Sequence, residues 1–325
     1  GVFKNVTPAS GISNDVGWWN TIAAGDFDND GDMDYIVGNL GGNSFYKASD
    51  QYPVSIIAKD FDNNGSYDAF PSLFLPVSQD DTEKREFPSQ SRDDILKQLV
   101  GIRKKYKNYK SFAQATMESL FTKDQRIGAL QLHANYLSSA FLRNDGNGKF
   151  TIAALPVQAQ ISVLNGLAVD DFDRDGNLDV VINGNDFGTE VTVGRYDALN
   201  GLLLKGNGKG NFSPLSILQS GIYIPGNGKA LATLKSNKGN YLIAASQNKG
   251  ALKVFKLKGN NKLIPLASFD ESAIISYKNG KKQKREIGYG SSFLSQSGRF
   301  VMIDSNALSV QIKNNKGEVR NINLQ

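Results

Sequence analysis

The sequence predicts a mainly β fold assembled from repeated four-stranded units, interrupted by a helical insertion and closed by a small all-β module. Three observations predict it. An Asp-rich phrase of nine residues is written three times, a Gly-rich hairpin phrase is written twice, and a helix-patterned stretch separates the second and third copies of the first phrase.

The first copy runs Asp26-Phe27-Asp28-Asn29-Asp30-Gly31-Asp32-Met33-Asp34. The second runs Asp60-Phe61-Asp62-Asn63-Asn64-Gly65-Ser66-Tyr67-Asp68, and the third Asp171-Phe172-Asp173-Arg174-Asp175-Gly176-Asn177-Leu178-Asp179. Every copy has an oxygen-bearing side chain at positions 1, 3, 5 and 9, Gly at 6 and Phe at 2. Crowding these carboxylates into one turn costs Coulomb energy unless a cation sits among them. A hard cation with flexible oxygen coordination suits the set, which predicts calcium, and the Gly permits the sharp turn. The loops are flanked by β-rich runs: Trp18 to Gly25 before the first and Tyr35-Ile36-Val37 after it, Val54 to Ala58 before the second, Gly166 to Val169 before the third and Val180-Val181-Ile182 after it. An EF-hand would need a bidentate Glu at position 12 between helices. Position 12 is Val37, Pro71 and Ile182, so that reading is rejected. A metal-free Asp/Asn-rich turn is the plain alternative.

The second phrase is Phe141-Leu142-Arg143-Asn144-Asp145-Gly146-Asn147-Gly148-Lys149-Phe150, matched by Leu203-Leu204-Lys205-Gly206-Asn207-Gly208-Lys209-Gly210-Asn211-Phe212. Each reads as strand, Gly-rich turn and strand. Two strands around an Asp loop and two around a Gly turn make a four-stranded unit, and repetition of such units predicts propeller blades. The copies start at 26, 60 and 171, hence 34 and then 111 residues apart. Removing roughly 60 inserted residues from the longer gap leaves about 50, a blade-like period. The insertion, placed at 77–136, interrupts the second blade and is helical. Ser91 to Asp94 reads as a capping box opening a helix with Ile95, Leu99, Ile102 and Tyr106 on one face. Ser111 with Gln114 and Thr122 with Gln125 read as two further helix starts.

Elsewhere Val2 to Thr7 alternates and predicts a strand. Lys229 to Ala245 keeps the strand–loop–strand frame with lysines in place of acids, predicting a fourth blade without metal. Four blade-like units are fewer than most propellers have, so either the chain is a fragment or the remaining sequence completes the ring. From Glu271 on, short strands predict a β appendix, with hairpins at Asn279-Gly280 and Lys316-Gly317. The expected divisions are blades over 1–76, the insertion over 77–136, blades over 137–270 and the β module over 271–325.

Composition narrows the chemistry. With no Cys and one His, disulfides, thiolate sites and His-based zinc clusters are excluded, and a Ser-His-Asp triad is disfavoured. The apolar run needed for a membrane helix, about 18 residues, does not occur. The chain opens Gly1-Val2-Phe3 without an initiator Met, from which we expect a targeting segment to have been removed. The net charge of +5 is uneven. From Lys235 on, Lys and Arg outnumber acids roughly three to one, with a maximum at Lys281-Lys282-Gln283-Lys284-Arg285. Nucleic acid or an anionic glycan suits such a patch, but a solvated hairpin is the reading adopted, and no nucleic-acid partner is expected.

The three Asp phrases resemble the calcium loops of FG-GAP and VCBS repeats, the blades of integrin-α-like propellers, over residues 18–75 and 137–250. The resemblance implies side-chain ligands at positions 1, 3, 5 and 9 and a backbone carbonyl at position 7. Carried over, these are Asp26, Asp28, Asp30, Asp32 and Asp34; Asp60, Asp62, Asn64, Ser66 and Asp68; and Asp171, Asp173, Asp175, Asn177 and Asp179. Up to three Ca2+ ions follow, the second loop being the weakest for want of one carboxylate. Residues Arg285 to Leu324, through Arg285-Glu286-Ile287-Gly288, Phe293 to Ser297 and the closing hairpin, resemble the ASPIC/UnbV module, although Val301-Met302-Ile303-Asp304 stands where that module is Gly-rich. Together these features are similar to the C-terminal part of large secreted VCBS-repeat proteins of Bacteroidetes type.

Other motifs take plainer readings. His133 is a packing or surface residue rather than a base. Trp18-Trp19 packs between blades rather than forming a sugar platform. Arg103 to Lys110 is the wet face of a helix, and Gly206 to Gly210 lacks the Ser/Thr and helix of a phosphate loop. The expected function is a secreted, periplasmic or outer-membrane-surface calcium-binding propeller that mediates adhesion by binding a protein or carbohydrate and catalyses nothing. The alternative is a calcium-dependent polysaccharide lyase or hydrolase. The helical insertion is the expected partner-specific surface.

Overall fold

The computed structural model describes residues 1–78, 80, 82–191, 193–259 and 261–324. It is mainly β, with 39% strand and 10% helix, arranged as several four-stranded antiparallel sheets. No helix among the described residues is long and apolar enough to cross a membrane. The chain divides into two compact units, one of Gly1–Ser13, Trp19–Ser44 and Ser138–Gln325, the other of Asn14–Trp18 and Phe45–Leu137.

In the first unit, strands Thr21–Gly25, Asp34–Gly38, Ala140–Asn144 and Phe150–Ala154 form one sheet in that order. A second sheet orders Leu164–Asp170, Asp179–Gly184, Leu202–Gly206 and Phe212–Leu215 the same way. Both place an Asp loop between strands one and two and a Gly-rich turn between strands three and four, as the two phrases require. The run Val180-Val181-Ile182 is continuous rather than alternating because its strand is buried on both faces. Strands Asn227–Lys235, Tyr241–Asn248 and Lys253–Lys256 form a three-stranded sheet around the turn where lysines replace acids. Lys262–Pro265 pairs with Phe300–Ile303. The C-terminal sheet orders Lys282–Glu286, Asp270–Tyr277, Ala307–Asn314 and Val319–Asn323, with both expected hairpins present.

The second unit carries its own sheet, ordered Lys84–Pro88, Asp68–Pro76, Val54–Lys59 and Leu130–Ala134, with five short helices between its first-listed and last-listed strands. The inserted segment is therefore larger than residues 77–136. Tyr35 and Val37 pair with Leu142 and Ala140, so the first sheet itself is interrupted, and the helices interrupt the sheet of the inserted unit. The helix through Ile95 and Tyr106 is two helices, Arg92–Gln98 and Ile102–Lys105, broken at Leu99, whose backbone (φ −128°, ψ 85°) leaves the helical region. Its apolar face survives the break, since Ile95, Ile102 and Tyr106 bury into one core with Phe70 and Phe121. Ser91 and Thr122 are caps as expected, but Ser111 is not. Asn108 caps that helix, its Oδ1 accepting from the Ser111 amide at 2.9 Å, because Asn competes as well as Ser for a free amide.

The N-terminal strand is a further correction. Residues 1–6 pair with nothing in a sheet, and Val2 and Phe3 are fully exposed at 99% and 105%. The short 3-10 turn Thr7–Ala9, with Pro8 early in it, follows instead.

Position 2 of each Asp phrase anchors its loop in a core. Phe27 meets Phe212 and Phe141 edge-on, with centroids 5.5 and 6.0 Å away. Phe172 meets Tyr241 at 6.0 Å, and Phe61 stacks on Phe121 at 4.4 Å. Phe27→Ala removes the centre of a three-ring cluster and is expected to lower unfolding stability by about 3–5 kcal/mol, read as a lower urea midpoint at unchanged slope.

Candidate metal centres

Each Asp phrase folds into the same turn. Position 4 adopts left-handed backbone in all three copies (Asn29 φ 63°, Asn63 φ 60°, Arg174 φ 66°), and the position-6 Gly residues follow at φ 95°, 89° and 82°. Two left-handed residues in close succession curl the chain so that the limbs of the loop face each other. The sequence marked position 6; position 4 was missed, although Asn in two of three copies is the residue that most readily takes that backbone after Gly.

The position-9 carboxylate rivets each loop. One oxygen accepts from the amide of position 2: Asp34 from Phe27 at 3.1 Å, Asp68 from Phe61 at 3.2 Å and Asp179 from Phe172 at 2.9 Å. In the first unit the other oxygen accepts from the third strand, Asp34 from the Asn144 amide at 2.8 Å and Asp179 from the Gly206 amide at 2.9 Å. Gly206 is required there, because a Cβ would stand 2.0 Å from the Leu178 carbonyl. Position 1 caps the turn: Asp171 accepts from Asp175 and Gly176 amides at 3.1 and 2.9 Å, and Asp60 from Asn64 and Gly65 at 3.0 and 2.9 Å.

These constraints converge carboxylate oxygens. Asp26, Asp28 and Asp34 bring one oxygen each within 4.8 Å of one another, as do Asp60, Asp62 and Asp68, and Asp171, Asp173 and Asp179. Each set can hold a metal ion. Asp30 and Asp175 at position 5 lie outside these triads; their Oδ1 atoms accept from Asp32 and Asn177 amides at 2.8 and 2.9 Å, and Asn64 does the same for Ser66 at 2.8 Å. Asp32 is exposed and Asn177 half-buried. The donor set is all oxygen, and the buried Oδ1 of Asp26 has no hydrogen-bond partner. A hard cation fits both facts.

Burial drives the electrostatics. Desolvation pushes Asp34 up to about 6, and Asp171 and Asp179 up to about 7, with neighbouring carboxylates adding to the rise. Asp26, Asp28 and Asp68 shift upward for the same leading reason.

The surroundings of the third loop were not foreseen. The Lys205 ammonium forms ion pairs with Asp173 and, at 3.0 Å, with Asp175. The basic run at 281–285 is not a solvated hairpin either. Gln283 is fully buried and donates to the Gly176 carbonyl at 3.2 Å, Lys281 bonds Asn177 Oδ1, and Arg285 pairs with Asp170 at 2.6 Å. Lys284 donates to the Gly31 carbonyl of the first loop at 2.9 Å. Charge clustering was legible in the sequence, whereas its partners lie more than a hundred residues away.

Among the other singled-out residues, His133 is exposed on the strand Leu130–Ala134, and Trp18 and Trp19 are each 39% exposed. Arg103, Lys104, Lys105 and Lys107 are exposed, the wet face expected. No protein-family model matches the chain, and no curated protein sequence matches it.

Raised carboxylate pKa values have a definite sign. The folded state holds protons that the unfolded chain releases, so this stability is present below about pH 4 and is lost as pH rises through about 6 to 7. In a chelating buffer the melting temperature is expected to fall from pH 4.5 to pH 7.5, roughly one bound-proton slope per shifted group. With a divalent cation holding the carboxylates ionised, the trend is expected to invert; thermal melts by circular dichroism check both.

Proposed function

We propose that the chain is a calcium-binding, propeller-type β module of the FG-GAP/VCBS kind with an ASPIC/UnbV-like end, acting outside the cytosol by binding a protein or carbohydrate partner without catalysis. The observation that carries the metal is the triple recurrence of a riveted carboxylate triad with one backbone pattern. Calcium suits it better than magnesium. Each loop offers several oxygens on a turn of irregular geometry, whereas magnesium demands a near-ideal octahedron and keeps its waters. The carboxylates at positions 1, 3 and 9 would hold the ion, joined, as the resemblance implies, by the position-5 side chain and the position-7 carbonyl. The ion would neutralise the buried charge and stiffen a strand connection.

A binding role is supported by the same economy. Each position-9 Asp is committed to backbone amides and each position-1 Asp of the second and third loops caps its own turn, so five of the nine triad carboxylates are already spent on holding the loops together. Repeated loops of one design also fit a scaffold role better than a single reaction centre.

Scanning calorimetry tests the reading. Calcium at about 100 times its dissociation constant adds about 2.7 kcal/mol for each filled site, so the melting temperature is expected to rise by several degrees over that in chelator. Asp171→Asn is expected to remove one site's share. Equal melting temperatures with and without calcium would defeat the metal reading. Partner class is tested by glycan-array and pull-down binding in calcium; shortening of a uronic-acid glycan by the wild type but not by a folded Asp26→Ala variant would replace the binding reading with the lyase one.

A further inference from the structure

Four side chains from one short run, Lys281, Gln283, Lys284 and Arg285, all end on the first and third Asp loops or the residue entering them. The contacts are not scattered along those loops. Lys284 and Gln283 bond the carbonyls of Gly31 and Gly176, the position-6 residue in each copy. Lys281 bonds the side chain of position 7 in the third loop, and Arg285 bonds Asp170, immediately before position 1. The loops are also tied to each other, Asn29 Nδ2 donating to the Gly208 carbonyl at 3.1 Å and to Asn177 Oδ1 at 3.4 Å.

We propose, on the reading that these loops take calcium, that the edge strand Lys282–Glu286 with Lys281 is a docking rail: seating of the C-terminal four-stranded sheet and metal binding at Asp26–Asp34 and Asp171–Asp179 are one linked equilibrium. The physical basis is directional. A position-6 carbonyl points toward its donor only while positions 4 to 7 hold their left-handed turn, and a cation gripped by positions 1, 3 and 9 holds that turn. If the turn loosens, the Gln283 amide loses its acceptor in a fully buried site, where water cannot replace it. Arg285, with its side chain 14% exposed against Asp170 at 10%, is equally unable to turn to solvent. The sheet therefore reads the order of the third turn through groups that have no other place to go, and that of the first through the exposed Lys284 contact. Linkage makes the effect reciprocal: whatever metal does to docking, docking does to metal affinity.

Hydrogen exchange of the full chain, followed by mass spectrometry in saturating calcium and in chelator, tests this directly. Amides of 281–286 are expected to exchange about fivefold faster or more in chelator, while those of the central strand Ala307–Asn314 keep their protection. Unchanged exchange at 281–286, or an equal rise at 307–314, overturns the docking proposal. The reciprocal arm uses Gln283→Met, which alters no charge. In a background where Asp28→Asn and Asp62→Asn silence the other loops, calorimetric calcium affinity at the third loop is expected to weaken about fivefold. An unchanged affinity overturns the proposal, and if that variant does not fold, the wild-type exchange result decides. Absence of any calcium binding to the wild type removes the metal reading and this proposal together, whereas binding with unaltered exchange removes only this one.

Discussion

The confinement of three carboxylates within one partly buried turn is the constraint on which the rest of this structure depends. Asp34 and Asp179 have no exposure at all, yet each must end a loop that already carries acids at positions 1 and 3. Burial of like charge is costly unless each oxygen is bonded and the charge compensated. The chain meets the first demand with backbone amides, from position 2 of the same loop and from the third strand of the same sheet. One residue thereby closes the loop, fixes the Phe anchor beside it and aligns the following hairpin. The metal-ligating candidate and the structural rivet are the same side chain.

Compensation of charge explains a second feature, the skewed distribution of lysine and arginine. The acidic phrases cluster early and the basic run lies at 281–285, so the sequence looks divided into an acidic part and a basic part. In the first unit the two parts meet: Lys281, Gln283, Lys284 and Arg285 bond the loops or Asp170 beside them, while Lys282 is exposed. Lys205, one strand over from the third loop, adds an ion pair at Asp173 and Asp175. Among the described residues, no Lys or Arg forms an ion pair with Asp60, Asp62 or Asp68. The three loops share a turn but not an electrostatic setting.

Local features were legible in the sequence because their causes are local. The Asp phrases, the Gly turns, the Ser91 and Thr122 caps and the apolar strand at 180–182 are each set by spacing within a few residues. What escaped was long-range. That Asp34–Gly38 pairs with Ala140–Asn144 across the whole inserted unit leaves no trace in either strand. The amides of Asn144 and Gly206 carry no residue-type signal, and the buried partners of Gln283 are invisible in a run that reads as surface lysines. Val2-Phe3 alternates like a strand but finds no neighbouring edge, so pattern alone misled there. Position 4 was missed despite a local signal in Asn29 and Asn63, as was the helix cap at Asn108.

The central claim is that the recurring phrase is a cation site built three times. Anomalous X-ray diffraction from crystals grown in calcium locates the ions without reference to stability or activity. The account predicts anomalous density among Asp26, Asp28 and Asp34 and among Asp171, Asp173 and Asp179, with weaker density among Asp60, Asp62 and Asp68. Saturating calcium that leaves all three triads without anomalous density would contradict it.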